Sequence, residues 1–120
     1  MRHYAHLITN KTDSFHKFYP KNPKMVYVIK KGASGIFVLG TMGEGPALID
    51  SQKKIVISKA VKHINNRVPL LAGITDISTR RVIEIGRMAE DLGADYLVLT
   101  TPFYYKFPHP QSIMEFLKKI

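Results

Sequence analysis

A chain of 120 residues is long enough for one domain with a modest core, and its 45% apolar content is ordinary for a globular protein. It contains no cysteine, which excludes a disulfide framework and thiolate catalysis. No apolar run approaches the ~20 residues of a transmembrane helix, and the N-terminus has no long apolar stretch of the kind found in secretory signals. We therefore expect a cytoplasmic protein without a membrane partner.

The formal net charge of +9 is concentrated near the N-terminus. Residues 1–31 contain seven of the 18 Lys and Arg but one acid, Asp13. A basic arm of this kind could bind polyanions nonspecifically. A solvated tail explains the same charge better, so we do not expect a nucleic-acid partner. We interpret residues 1–24 as an irregular basic segment.

The first predicted elements are short. HLIT, at 6–9, could be a degenerate first strand. KMVYVIKK, at 24–31, has apolar residues at helical spacing, and Gly32 can end that helix. GIFVLG, at 35–40, is an apolar run between glycines, which is typical of a strand buried on both faces.

The rest of the chain alternates helices with strands. A helix is predicted over 51–65, capped by Asp50 or Ser51, because its apolar residues fall on one face. The later predicted elements are a strand at 69–75, a helix from a cap at Asp76 or Ser78 to Leu92, a strand at 96–102 and the beginning of a helix at 111–120. This alternation predicts an α/β fold with right-handed βαβ units and a parallel sheet. There are three βα units, or four if 6–9 is counted.

Functional sites in such folds lie at the C-terminal ends of the strands, and the first of these ends is rich in glycine. In GTMGEGP, at 40–46, the glycines allow a ligand to approach the backbone. Successive N–H groups of such a loop can bind a carboxylate or a phosphate. A purely structural turn explains the same glycines about as well.

The other two strand ends contain polar side chains. Thr75 and Asp76 follow the second strand, where caps of the next helix are favoured over catalysis. Tyr104 and Tyr105 lie in TTPFYYKFP, at 100–108, after the third. A tyrosine there can relay a proton if its neighbours lower its pKa from ~10. From the residues alone, packing of these rings under a loop is favoured over that role.

The five histidines do not form a metal-binding pattern. They are His3, His6, His16, His63 and His109. No carboxylate lies at ligand spacing from the nearest pair, His3 and His6, so we expect no metal site.

The three strand ends occur in the order GIFVLGTMGEGPAL, RVPLLAGITD and GADYLVLTTPFYY. In this order and at these distances they resemble the GTTGE loop, the third strand and the TPYY segment of the dihydrodipicolinate synthase and N-acetylneuraminate lyase family. The resemblance runs from about Met25 to Ile120. It implies that residues 25–120 form a partial barrel, the N-terminal half of a (β/α)8 barrel, since a complete barrel needs about 250 residues.

The resemblance also implies a chemistry. Members of the family condense or cleave pyruvate-like 2-keto acids through a lysine Schiff base, and no cofactor is expected. The loop that holds the keto-acid carboxylate corresponds here to Gly40, Thr41, Met42, Gly43 and Glu44. Thr41 and Tyr104 align with a proton relay and are the candidate catalytic residues. A small 2-keto acid and further copies of the chain are the partners that the resemblance implies.

Three positions depart from the family's pattern. Met42 replaces the second Thr of the loop, which removes a hydroxyl but leaves the backbone N–H. Carboxylate binding would then be weakened and not abolished. Phe103 replaces the first Tyr of the pair, and Asn10 stands where proline is usual in the first strand.

The larger departure concerns the nucleophile. The family's Schiff-base lysine lies on a later strand, and no lysine of this sequence aligns with it. Lys106 follows the tyrosine pair in a loop, and Lys118 and Lys119 fall on the last predicted helix. We expect a keto-acid aldolase or lyase as the parent activity, with this chain inactive by itself. The alternative is a non-catalytic half barrel that binds a partner or another copy of itself.

Overall fold

The computed structural model describes residues 4–6, 23–102 and 109–120. The elements in chain order are β1 (Tyr4–His6), α1 (Pro23–Lys30), β2 (Gly35–Val38), α2 (Asp50–Ile64), β3 (Leu70–Gly73), α3 (Thr79–Asp91), β4 (Tyr96–Val98) and α4 (Pro110–Lys118). A single 3-10 turn, Gly45–Ala47, lies between β2 and α2.

The four strands form one sheet in chain order, and all three neighbouring pairs are parallel. The register places Ile36 beside Leu70 and Leu71 beside Tyr96. The predicted parallel sheet of successive βα units is confirmed. Because parallel strands all end at the same edge of a sheet, the loops that follow β2, β3 and β4 are neighbours there.

The main core lies between the sheet and the helices that follow β2 and β3. On β2, Ile36 and Val38 are buried in this core, whereas Phe37 between them lines a cleft, as the period-two geometry of a strand requires. The buried residues of α2 share one helix face and are Val56, Ile57, Ala60 and Ile64. Full burial of an aliphatic side chain contributes about 1.5–3 kcal/mol, so this face holds α2 against the sheet.

The first strand differs from the prediction. A strand is present in the N-terminal segment, but it covers Tyr4–His6 and overlaps the predicted 6–9 only at His6. The rest of the predicted strand lies outside the described residues. Pairing with Gly35, Ile36 and Phe37 of β2 places this strand at one side of the sheet.

The predicted cap of α2 is wrong. The helix begins at Asp50, and Ile49, which has no polar side-chain atom, occupies the capping position. Gln52 Oε1 accepts a hydrogen bond from the Ile49 N–H at 3.2 Å, so a side chain of the first turn satisfies the backbone donor there. For α3, Ser78 is the capping residue, as one of the two predicted alternatives had it, but its side chain makes no capping hydrogen bond.

Candidate functional site

The chain leaves β2 through Leu39, whose backbone is in the left-handed region at φ 60 although its side chain is buried. Left-handed backbone is strained for a bulky residue and persists only where the surroundings fix it. Here the Leu39 carbonyl oxygen lies between Gly45 and Gly73, and a Cβ atom at either glycine would overlap that oxygen. The loop after β2 therefore packs directly on the end of β3 through backbone atoms.

Hydrogen bonds within the loop hold it in a compact turn. The Gly45 N–H donates to the Gly40 carbonyl at 3.1 Å, and the Glu44 N–H donates to the Thr41 carbonyl at 3.0 Å. Within the described part of the chain, the N–H groups of Thr41 and Met42 make no hydrogen bond. Both residues are exposed, so these two donors are available to a ligand.

A cleft of about 580 Å³ lies at this edge of the sheet, where β2, β3 and β4 end. Its described lining residues are Phe37, Leu39, Gly40, Thr41, Met42, Pro46, Gly73, Thr75, Val98 and Thr100. Three of the five residues predicted to bind substrate, Gly40, Thr41 and Met42, are among them. The volume is within the range of small-molecule sites, which is about 300–1,000 Å³.

The other two predicted loop residues do not line the described part of the cleft. Gly43 is buried, and Glu44 is in the left-handed region at φ 54. Among the described residues, the Glu44 Oε2 atom is buried and has no hydrogen-bond partner. A buried carboxylate oxygen without a donor is costly, so Glu44 is positioned to accept a hydrogen bond from a group that approaches this loop.

A pair of threonine hydroxyl groups lies in the cleft at the ends of β3 and β4. The Thr100 N–H donates to Thr75 Oγ1 at 3.0 Å, and the two Oγ1 atoms are 3.2 Å apart. The cap predicted for Thr75 is wrong, because its hydroxyl bonds across the strands and not to the start of α3. Sequence reasoning also missed Thr100; its position directly after an apolar run was the signal that could have identified it.

A cluster of four charged side chains lies beside the loops after β2 and β3. Arg81 Nε donates to Asp76 Oδ2 at 2.9 Å, and Arg81 Nη2 donates to Asp50 Oδ1 at 3.0 Å. These bonds, first that to Asp76 and then that to Asp50, raise the pKa of Arg81 above its ordinary value. Lys53, only 3% exposed, has its Nζ 3.7 Å from Asp50 and 4.0 Å from Asp76. This cluster links α2 to α3.

Asp76 does not cap α3 as predicted, because its side chain pairs with Arg81 in this cluster. Its Oδ2 atom pairs with Arg81, and its Oδ1 atom accepts a hydrogen bond from the Ile77 N–H at 2.7 Å. Asp76 thus precedes the helix start at Ser78 and fixes the loop through its charge.

Tyr104 and Phe103 lie outside the described residues, as do Tyr105 and Lys106. The predicted pairing of Thr41 with Tyr104 therefore stays a prediction. In the described ranges, no group of three or more His, Cys, Asp and Glu lies close enough together to hold a metal ion. Of the helices in those ranges, none is both long and apolar enough to cross a membrane.

Comparison with known proteins identifies one family. The model of the dihydrodipicolinate synthetase family matches residues 21–120. The 4-hydroxy-tetrahydrodipicolinate synthase of Methanococcus vannielii is 35% identical over 105 residues, which is 88% of this chain and 36% of that protein. The Bacillus subtilis enzyme of the same name is 35% identical over 94 residues, or 78% of this chain and 32% of that protein. The chain thus spans about a third of the length of these relatives.

Solved structures give the same result. A prophage protein of the dihydrodipicolinic acid synthase family from E. coli K12, in complex with pyruvate, superposes with a TM-score of 0.87 and 27% identity, covering 98% of this chain and 40% of that one. A chloride-inhibited dihydrodipicolinate synthase from Acinetobacter baumannii, also complexed with pyruvate, gives 0.85 and 28%, with the same coverage. The predicted N-terminal part of a (β/α)8 barrel is confirmed.

Proposed function

This chain belongs to the dihydrodipicolinate synthetase family, and from that membership we propose that its cleft binds the carboxylate of a pyruvate-type 2-keto acid. The observation that best supports this is the loop after β2, where Thr41 and Met42 are exposed residues and their N–H groups make no hydrogen bond among the described residues. Consecutive backbone donors of this kind bind anions. The pyruvate complexes of two structural relatives support the choice of ligand.

The loop can bind a carboxylate even though Met42 has no side-chain hydroxyl, unlike the threonine that the family has at this position. A hydrogen bond to a charged group contributes about 1.5–3 kcal/mol, and two backbone donors remain. The Thr41 hydroxyl is a further donor at the cleft. We assign Thr41 to this binding and, together with Tyr104, to proton transfer in the parent reaction.

The parent reaction that we propose is the condensation or cleavage of a 2-keto acid through a lysine imine. An uncharged amine attacks the keto carbon, and loss of water forms the imine. Among the described residues that line the cleft, none is a lysine. Lys53 is buried, but its Nζ lies between Asp50 and Asp76, and Lys53 is not among the residues that line the described part of the cleft. We therefore propose that the chain by itself binds a keto acid and does not turn it over.

Carboxylate binding can be tested at the two amide groups. In a titration of the ¹⁵N-labelled chain with pyruvate, we expect saturable shifts of the Thr41 and Met42 amide signals. Acetone, which has the keto group without the carboxylate, should leave these signals unchanged. The proposed site is wrong if pyruvate saturates shifts of other amide signals and leaves those of Thr41 and Met42 unchanged. It is also wrong if no amide signal shifts at all.

Catalysis is tested by trapping. After incubation with pyruvate and borohydride, we expect the intact mass of the folded chain to be unmodified, because no lysine is among the described residues that line the cleft. A stoichiometric adduct on one lysine, lost when that lysine is replaced by alanine, would overturn this proposal.

A second candidate function is partner binding without catalysis. It is favoured by exposed apolar side chains on β4 and α4, among them Tyr96 at 61% and Met114 at 54%. Such surfaces are typical of interaction sites when they are contiguous. Self-association and a cytoplasmic location stay predictions.

A further inference from the structure

We propose that the outer surface of α1 and α2 is a second binding site of this protein, and that its ligand is single-stranded nucleic acid. This surface, the basic face, consists of Tyr27, Lys30, Lys31, Lys54 and Lys62. None of these residues lines the described part of the cleft. The inference therefore goes beyond the proposed function and does not depend on it.

The positive charge of the chain belongs to its first part. Residues 1–67 contain 12 Lys and Arg and three acids, whereas residues 68–120 contain six of each, so the whole excess of +9 lies before residue 68. A solvated N-terminal tail accounts for only part of it. Residues 23–67, which the structure describes, contain eight of these bases and two of the acids. Much of the excess is thus carried by folded chain, including two helices that pack against each other.

The four lysines of the basic face are exposed and are not neutralised by acids on the same helices. The sequence of α1 contains no acid, and the one acid of α2, Asp50, is bound to Arg81 of α3. Among the described residues, none of the four lysines makes an ion pair. Each can therefore contact a phosphate without breaking an existing ion pair.

An exposed aromatic ring accompanies these lysines. Tyr27 is 61% exposed, and the Nζ atom of Lys31 lies 5.7 Å from the centre of its ring. At this distance a lysine ammonium is attracted by the face of an aromatic ring, which holds Lys31 beside Tyr27. Proteins that bind single strands stack bases on aromatic rings while basic side chains follow the backbone. The ring and the ammonium together offer an unpaired nucleotide both contacts.

The same residues favour a single strand over a duplex or a membrane. Bases of a duplex are stacked on one another, so the Tyr27 ring would gain no partner there. A helix that binds a membrane surface places an apolar face among the lipids. On α1 and α2 the aliphatic residues, among them Val28, Ile29 and Val61, instead pack against the core. Phosphate contacts and stacking read no sequence, so we expect little sequence preference.

The test measures binding of the full chain to a fluorescently labelled oligothymidine of about 15 nucleotides, a length that covers one binding site of this kind. Fluorescence anisotropy at several salt concentrations gives the association constant. Four lysine–phosphate contacts should give a slope of about −3 for its logarithm against that of the salt concentration. Absence of binding at low salt would overturn the inference and leave the proposed function intact.

The stacking contact is tested at tyrosine. We expect Y27A to weaken binding about 5- to 150-fold, the usual effect of removing one stacked base, and Y27F to bind like the unmodified chain. Y96A is the matched control, because Tyr96 is also 61% exposed but lies on β4, and it should not change the affinity. An equal loss in Y27A and Y96A, or no loss in Y27A, would contradict the assignment.

The phosphate contacts are tested at lysine. K54Q/K62Q should reduce the size of the salt slope by about 1.4, since each contact to a single strand contributes about 0.7. K118Q/K119Q removes the same charge at the end of α4 and should leave the slope unchanged. If both double variants lower it equally, net charge alone causes the binding and the basic face is not a site.

Two further probes separate the other ligands. Tighter binding of a DNA duplex than of the single strand, or preferential binding to vesicles that contain phosphatidylserine, would overturn the proposal. Thermal melts identify any variant that fails to fold; the lysine variants, which change exposed positions, then decide the outcome. Pyruvate titration of K54Q/K62Q should match that of the unmodified chain, because the basic face and the cleft share no described residue.

Discussion

At the scale of single residues, two glycines set the position of the loop after β2. A Cβ atom at Gly45 or Gly73 would overlap the backbone oxygen of Leu39, which is not the flexible end of a side chain. The backbone of the loop, with the N–H groups of Thr41 and Met42, is thus positioned by residues that lie behind it.

We predict that G73A destabilises the chain by about 1–3 kcal/mol, the usual cost of forcing extra volume into a packed site. G86A is the matched control. A Cβ atom there meets Leu97 at an ordinary 3.5 Å, and the helical position favours alanine by about 0.5–1 kcal/mol. Urea unfolding measures both changes, and equal stability of G73A and the unmodified chain would contradict the close contact.

The sequence identified the loop but not the threonine pair. Gly40, Thr41 and Met42 were found because the loop is contiguous and resembles a family motif. The bond between Thr75 and Thr100 joins residues 25 positions apart and depends on the register of β3 against β4. From the neighbouring sequence alone, a threonine before a helix is expected to cap that helix. The pairing of β3 with β4 is needed to show that Thr75 bonds to Thr100.

At the scale of elements, helices were predicted better than strands. The predicted helix 51–65 is observed as Asp50–Ile64, because apolar spacing over several turns defines a helix well. The predicted strands 69–75 and 96–102 are observed as Leu70–Gly73 and Tyr96–Val98. The apolar runs continue past the last paired residue into the loops that form the cleft, so composition alone overestimates strand length.

The charged cluster between α2 and α3 gives a prediction at this scale. Lys53 is almost fully buried, and its aliphatic stem packs while its ammonium lies between two carboxylates. We expect K53A to lower the free energy of unfolding by about 2 kcal/mol and K53M to lower it by less than about 1 kcal/mol, since methionine keeps the stem and Arg81 still pairs with both carboxylates.

The measurement is urea unfolding at neutral pH, with K54A as the control. Lys54 is exposed on the same helix, and its replacement should change stability by no more than about 0.5 kcal/mol. A K53M variant as unstable as K53A would mean that the ammonium charge, and not the stem, stabilises the link between the helices.

At the scale of the whole molecule, the order of the βα units was predictable and the exposed surface was not. Three short motifs in the right order were sufficient for the family and for the barrel-like sheet. Which apolar side chains remain uncovered depends on what packs against β4 and α4. Tyr96, Leu97 and Leu117 are 61%, 38% and 43% exposed.

We predict that this surface makes the isolated chain self-associate. β4 is the last described strand of the sheet, and an uncovered edge with apolar neighbours favours pairing with another chain. Sedimentation velocity at micromolar concentration should show dimers or larger species. L97E, which adds a charge to β4, should shift them toward monomer; a cooperative, stable monomer of the unmodified chain would contradict the prediction.

The position of the Leu39 carbonyl has a consequence for how this loop can evolve. A ligand that is bound by main-chain N–H groups does not depend on the side chains at those positions, so residues such as Met42 are free to drift. The selective constraint moves to Gly45 and Gly73, which support the loop from behind and make no contact through a side chain. In a set of descendants of this chain, the residue at position 42 should vary, and the two glycines behind the loop should not.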